Sequence, residues 1–125
     1  MIVLDASVLI AHLDQSDTHH ALATDHLLAA ADEPFGASSI TLAEVLVAPL
    51  RTGRLDAART ALRTLEVHEI QLPPNASERL AALRVETALK LPDCCVLLAA
   101  EVAGGTVLTF DDRLERAATR LRLAP

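Results

Sequence analysis

The sequence has no tryptophan, no tyrosine and only two phenylalanines, Phe35 and Phe110. A core without large aromatics must be filled by Ala, Leu, Val and Ile, and 51% of the residues are hydrophobic. The shortage also argues against gripping a long single strand through a row of stacked bases. No uninterrupted apolar run reaches the roughly 20 residues of a membrane span. The N-terminus has no basic segment, and Asp5 interrupts its apolar start at once. No secretory signal is expected, and the expectation is a soluble, cytoplasmic protein with no membrane partner. The only cysteines, Cys94 and Cys95, are adjacent. They form neither a C-x-x-C redox pair nor a zinc spacing, and read as two small buried apolar residues.

Positive charge is missing from one part of the chain. Residues 1–50 hold seven acids and no Lys or Arg, whereas residues 51–125 hold ten acids and eleven bases. The net charge of −6 is wrong for a simple electrostatic binder of nucleic acid. A polyanionic partner would need a local basic surface or a bound cation.

The 125 residues suit a single domain spanning 1–125, with no repeat or linker. Short apolar runs alternate with helical patterns. Strands are expected at 2–4, 35–38, 67–72 and 106–109, with a last extended piece near 121–123. Helices are expected at 7–13, 18–31, 40–50, 54–65, 76–89, 91–103 and 113–119. Such alternation predicts an α/β domain whose central parallel sheet is covered on both faces.

This topology gathers acids that the sequence scatters. Asp5 ends the first strand and Asp111 follows the last. Asp93 opens a helix that must descend before that strand can rise, and Glu44 lies early in the helix after the second strand. All four are expected at the carboxyl rim, where ligands bind in open α/β sheets. Each also has a plainer reading. Thr41-x-x-Glu44 fits a capping box, Asp93 complements a helix dipole, Asp111 or Asp112 suits an N-cap, and Asp5 suits an Asx turn. Clustered carboxylates without sulfur ligands favour a hard cation such as Mg²⁺ or Mn²⁺. Metal-assisted phosphodiester hydrolysis is the reaction class that follows.

Four segments carry a resemblance. They are Ile2-Val3-Leu4-Asp5-Ala6-Ser7-Val8-Leu9-Ile10, Ser38-Ser39-Ile40-Thr41-Leu42-Ala43-Glu44-Val45, Leu91-Pro92-Asp93, and Thr106-Val107-Leu108-Thr109-Phe110-Asp111. In this order they resemble a PIN-domain ribonuclease, specifically a VapC-type toxin of a toxin–antitoxin pair. The resemblance covers essentially the whole chain. It implies a three-layer α/β/α PIN-like fold and an acidic quartet at Asp5, Glu44, Asp93 and Asp111. It further implies Mg²⁺- or Mn²⁺-dependent RNA cleavage, homodimerisation and neutralisation by a cognate VapB-like antitoxin. Ser7 stands where many relatives have Asn, so it has less reach and no amide donor. Thr109 stands where relatives often place Ser or Thr. The Thr-x-Asp spacing selects Asp111 over Asp112 as the fourth acid.

His12, His19, His20 and His26 fall in or beside the first helical region and read as solvated or as dimer surface. His68 reads as structural. Arg51, Arg54, Arg59 and Arg63 are candidates for holding RNA phosphates, against a plain role on a solvated helix face. The helices at 41–50 and 54–65 are candidates for the antitoxin groove. Two rivals stand beside the nuclease reading. One is a non-catalytic PIN-fold module that binds RNA or protein. The other is a phospho-accepting receiver domain, which would need an Asp ending the third strand; Ile70-Gln71-Leu72 offers none.

Overall fold

The computed structural model describes all 125 residues, Met1–Pro125. Four short strands are present: β1 (Ile2–Leu4), β2 (Phe35–Ser38), β3 (His68–Ile70) and β4 (Thr106–Leu108). They pair in parallel in the order β3-β2-β1-β4. Seven helices connect them: α1 (Ala6–Leu13), α2 (His20–Ala29), α3 (Ser39–Arg51), α4 (Leu55–Thr64), α5 (Ala76–Thr87), α6 (Leu91–Ala103) and α7 (Asp112–Arg120). The three-layer α/β/α architecture expected from the alternation is the one observed.

The pleat divides the core. Side chains alternate across a strand, and Ile2 and Leu4 join Phe35, Val8, Leu9 and Val45 on one face. Val3 and Val107 point the other way, to Leu83, Leu97 and Leu114. The second face is dominated by α6, where Cys94 through Ala100 are all buried. A helix apolar all round is a helix buried all round, and α6 packs against β1, β2, β4 and α5. Both cysteines are free thiols in this core. Gly104 ends α6 in the left-handed region, with φ 62°. A Cβ on Gly105 would lie 2.5 Å from the Met1 carbonyl oxygen, so only glycine lets β4 start beside β1.

Several boundaries differ from expectation. The third strand is three residues long rather than six, because the chain leaves the sheet before Gln71. The helix expected to run to residue 89 stops at Thr87, where Ala88 turns left-handed with φ 60°. No strand forms at 121–123. The Leu123 carbonyl instead accepts a hydrogen bond from Val107 N at 2.7 Å, satisfying the outer edge of β4. The helix expected behind Ser7 starts one residue earlier, at Ala6.

Candidate active site

β1 and β4 are neighbours, with Leu4 opposite Leu108. The residues after them, Asp5 and Thr109, therefore emerge side by side at the carboxyl rim. Asp5 is only 8% exposed. Its Oδ2 accepts hydrogen bonds from Ser7 Oγ and Thr109 Oγ1, each at 2.8 Å. The two hydroxyls also accept: Ser7 Oγ from Phe110 N at 3.2 Å, and Thr109 Oγ1 from Asp111 N at 2.9 Å. A hydroxyl can donate once and accept as well, so both residues bridge Asp5 to the segment after β4. Ser7 thus reaches Asp5 without an amide. Asp5 occupies the N-cap position of α1, but its side chain caps no backbone N–H of that helix.

Asp111 is the N-cap of α7. Its Oδ1 accepts from Arg113 N at 2.9 Å and Leu114 N at 3.0 Å. The capping reading is therefore correct for Asp111, yet it engages one oxygen and leaves Oδ2 free. Asp112 is the first residue of α7 and exposed.

The capping-box reading of Glu44 fails. α3 begins at Ser39 and is capped by Ser38, whose Oγ accepts from Ile40 N. Glu44 is thereby six residues into the helix, and Thr41 Oγ1 is buried without a hydrogen-bond partner. Asp93 lies in the first turn of α6, where the dipole favours it.

Electrostatics links the four acids. Partial burial raises the Glu44 pKa, and the carboxylates of Asp5 and Asp93 raise it further. Burial also raises the Asp93 pKa, Asp5 and Asp111 add to the rise, and Lys90 and Arg113 oppose it. Desolvation and like charges both disfavour ionisation. Glu44 thus feels Asp5 and Asp93, and Asp93 feels Asp5 and Asp111, at one end of the sheet. Their carboxylates are not closed into a cage, and no three His, Cys, Asp or Glu side chains sit close enough to hold an ion directly. Mg²⁺ usually keeps several waters and takes one or two carboxylates. An open set of carboxylate and hydroxyl oxygens fits that manner of binding.

Lys90 and Arg113 were not anticipated as site cations. Their signal is position alone, three residues before Asp93 and two after Asp111. Three of the four arginines singled out from sequence have other partners. Arg54 acts on Asp14, Arg59 sits 4.0 Å from Asp56, and Arg63 bonds Thr60. The histidines divide into pairs. His12 Nδ1 meets Thr24 Oγ1 at 3.0 Å and His20 Nδ1 meets the Ala11 carbonyl at 2.9 Å, tying α1 to α2. His19 and His26 instead flank Phe110. A pocket of about 320 Å³ beside His12, Leu28, Phe35 and His68 includes none of the four acids.

The PIN-domain family model matches residues 2–120. The chain belongs to the PIN-domain family. A toxin–antitoxin complex from Klebsiella pneumoniae contains a similar chain, with 28% identity and a TM-score of 0.74, covering 89% of this chain and 87% of that one. The VapC20 toxin of Mycobacterium tuberculosis, described as cleaving the sarcin–ricin loop, shares the PIN fold at 19% identity and a TM-score of 0.76. That match covers 94% of this chain and 95% of the toxin. VapBC2 from Rickettsia felis, bound to a promoter DNA fragment, matches at 17% identity and a TM-score of 0.72, covering 94% and 93% of the two chains. No curated protein matches the sequence significantly.

Proposed function

We propose that this PIN protein is a VapC-type toxin, an endoribonuclease that uses Mg²⁺ or Mn²⁺ to hydrolyse RNA and is neutralised by a VapB-like antitoxin. The supporting observation is that four acids from separate segments meet at the end of a PIN-fold sheet, near enough for Asp5 and Asp93 to act on Glu44 and for Asp5 and Asp111 to act on Asp93. The likeness to a chain of a toxin–antitoxin complex supports the antitoxin part of the reading, and the likeness to a toxin that cleaves the sarcin–ricin loop supports the cleavage part.

Asp5 is the fixed member, oriented by Ser7 and Thr109. Asp93 and Glu44 carry raised pKa values, which suits them to share a cation and to exchange a proton with water. Asp111 offers the oxygen that its cap leaves free. Lys90 and Arg113 stand ready to hold a substrate phosphate. When bound, Mg²⁺ or Mn²⁺ lowers the pKa of a water and stabilises charge on the phosphoryl oxygens.

The partner reading rests on α3. Ile40, Val47 and Leu50 are 38%, 44% and 61% exposed on this helix. Ile40, Glu44 and Val47 share a face at helical spacing, so an apolar segment laid along that face meets Glu44 at the acid site. A second copy of the chain completes a homodimer, which light scattering of the purified protein checks. No helix is long and apolar enough to cross a membrane. Action on cellular RNA would place the protein in the cytoplasm.

The experiment is cleavage of a broad RNA panel by antitoxin-free protein, with and without chelator. Divalent-dependent cleavage is expected, lowered on the order of 10³-fold in Asp5→Asn and Asp93→Asn. Equal activity in the variants would sink the assignment. One rival is a PIN module that binds RNA or protein without cutting, and the intact acidic quartet speaks against it. Calorimetric titration with Mn²⁺ separates the two, since a dead module need bind no metal.

A further inference from the structure

We propose that Phe110, His19 and His26 form a stacking platform for an unpaired RNA base beside the acidic site, an inference that rests on the RNA-cleaving reading. Phe110 is one of only two phenylalanines, and it lies between Thr109 and Asp111 in the chain. Its backbone N–H is held by Ser7 Oγ, the hydroxyl that also orients Asp5. The ring is therefore tied to the same scaffold as the buried acid. Its centroid lies 5.6 Å from the His19 ring at a tilt of 32° and 5.9 Å from the His26 ring, edge-on at 88°.

These histidines differ from their neighbours. His12 and His20 are occupied in joining α1 to α2. His26 is exposed and makes no side-chain hydrogen bond, and the His19 side chain is 60% exposed. Asp17 accepts from His19 N at 2.8 Å, and Thr18 Oγ1 lies 3.4 Å from Nδ1, so the exposed ring is braced.

Charge explains why a ring surface is useful on this flank. Residues 1–50 contain no Lys or Arg, whereas the cations nearest the acids, Lys90 and Arg113, act on Asp93. RNA crossing the rim can leave a phosphate with those two cations. The α2 segment itself carries no Lys or Arg, and unpaired bases stack on Phe and His planes with little regard to sequence.

The test uses full-length Asp93→Asn protein, so that RNA stays intact, and follows the ring NMR signals of the five histidines and two phenylalanines. Addition of a six-residue oligoadenylate is expected to move the His19, His26 and Phe110 signals. An abasic ribose-phosphate oligomer of equal length is expected to leave them still. The exposed double variant His19→Ala/His26→Ala should bind oligoadenylate about tenfold more weakly, as loss of a stacked base predicts. Phe110→Leu keeps the apolar contact with the core and should behave likewise. In otherwise wild-type protein the double variant should raise KM about tenfold with kcat unchanged. Equal shifts with the abasic oligomer, or silent rings while RNA is bound, overturn the platform. Ring shifts in the variant, with a wild-type protein that cuts no RNA, support the platform and defeat the nuclease reading; wild-type cleavage with silent rings in the variant does the opposite.

Discussion

α3 and α6 are both 13 residues long, and each carries one acid of the candidate site. They are built differently. In α6 seven consecutive residues after Asp93 are buried, whereas α3 buries only Thr41 and Val45. Asp93 is consequently placed by the core itself. Glu44 rides on a helix whose outer face stays apolar and uncovered. The comparison teaches that one side of the acid rim is set by folding, and the other lies on a surface suited to a partner.

The largest expected effect tests this difference directly. Leu97 is fully buried in α6, and Leu97→Ala should destabilise the protein by about 2–5 kcal/mol through lost burial and a cavity. Val47→Ala on α3 should change stability by no more than about 0.5 kcal/mol, while weakening a partner that covers this face. Chemical denaturation of the two variants side by side measures the contrast. Similar losses for both would mean that α3 is as deeply built into the fold as α6.

Much of this arrangement was legible in the sequence, for identifiable reasons. The apolar run Ile2-Val3-Leu4 ending at Asp5 marks a buried strand, and Pro92 marks the first turn of α6. Local pattern was enough for both. The capping-box reading of Glu44 failed because Thr41 and Glu44 have the right spacing, but the helix already starts behind Ser38. Spacing does not reveal where a helix begins when several hydroxyl residues stand in a row. Leu121 and Leu123 at alternate positions imitate a strand, but a single backbone hydrogen bond joins Leu123 to β4. Lys90 and Arg113 stand out less in the sequence than the run Arg51, Arg54, Arg59 and Arg63. Charge density is visible in a sequence, but proximity to Asp93 depends on the docking of α6 and α7 against the sheet.

A smaller effect sharpens the core-placed side of the rim. Ser7→Ala removes one of the two hydroxyl donors to Asp5 Oδ2 and the acceptor for Phe110 N. Loss of such an orienting contact typically lowers metal affinity or activity about 10–100-fold. Thr109→Val removes the other donor and should fall in the same range. Metal titration read alongside kcat/KM would show whether the loss is in cation affinity or in turnover. If neither hydroxyl matters, Asp5 is held by its backbone position alone.

The smallest effect concerns stability and runs against the activity. Folding raises the pKa of Glu44 and Asp93, chiefly by burial and then by neighbouring carboxylates. A carboxyl with a raised folded pKa binds its proton more tightly in the folded state. Its stabilising contribution is therefore complete below the ordinary carboxylate range and is lost as pH rises through the folded pKa. At neutral pH the metal-free protein bears that penalty at both residues. Glu44→Gln should accordingly raise its melting temperature by about 2 °C, corresponding to roughly 0.5 kcal/mol after allowance for solvent at an exposed helix face. Asp93→Asn should gain at least as much, because Asp93 is the less exposed of the two. The gain should shrink as pH falls below about 4, where the wild-type carboxyls carry their protons. Added Mn²⁺ should reverse the order by stabilising the wild type more than either variant. Melting curves across pH, with and without Mn²⁺, measure all three trends. A variant no more stable than wild type at neutral pH would show that the carboxylates have relaxed apart, and that their repulsion is too weak to require a cation.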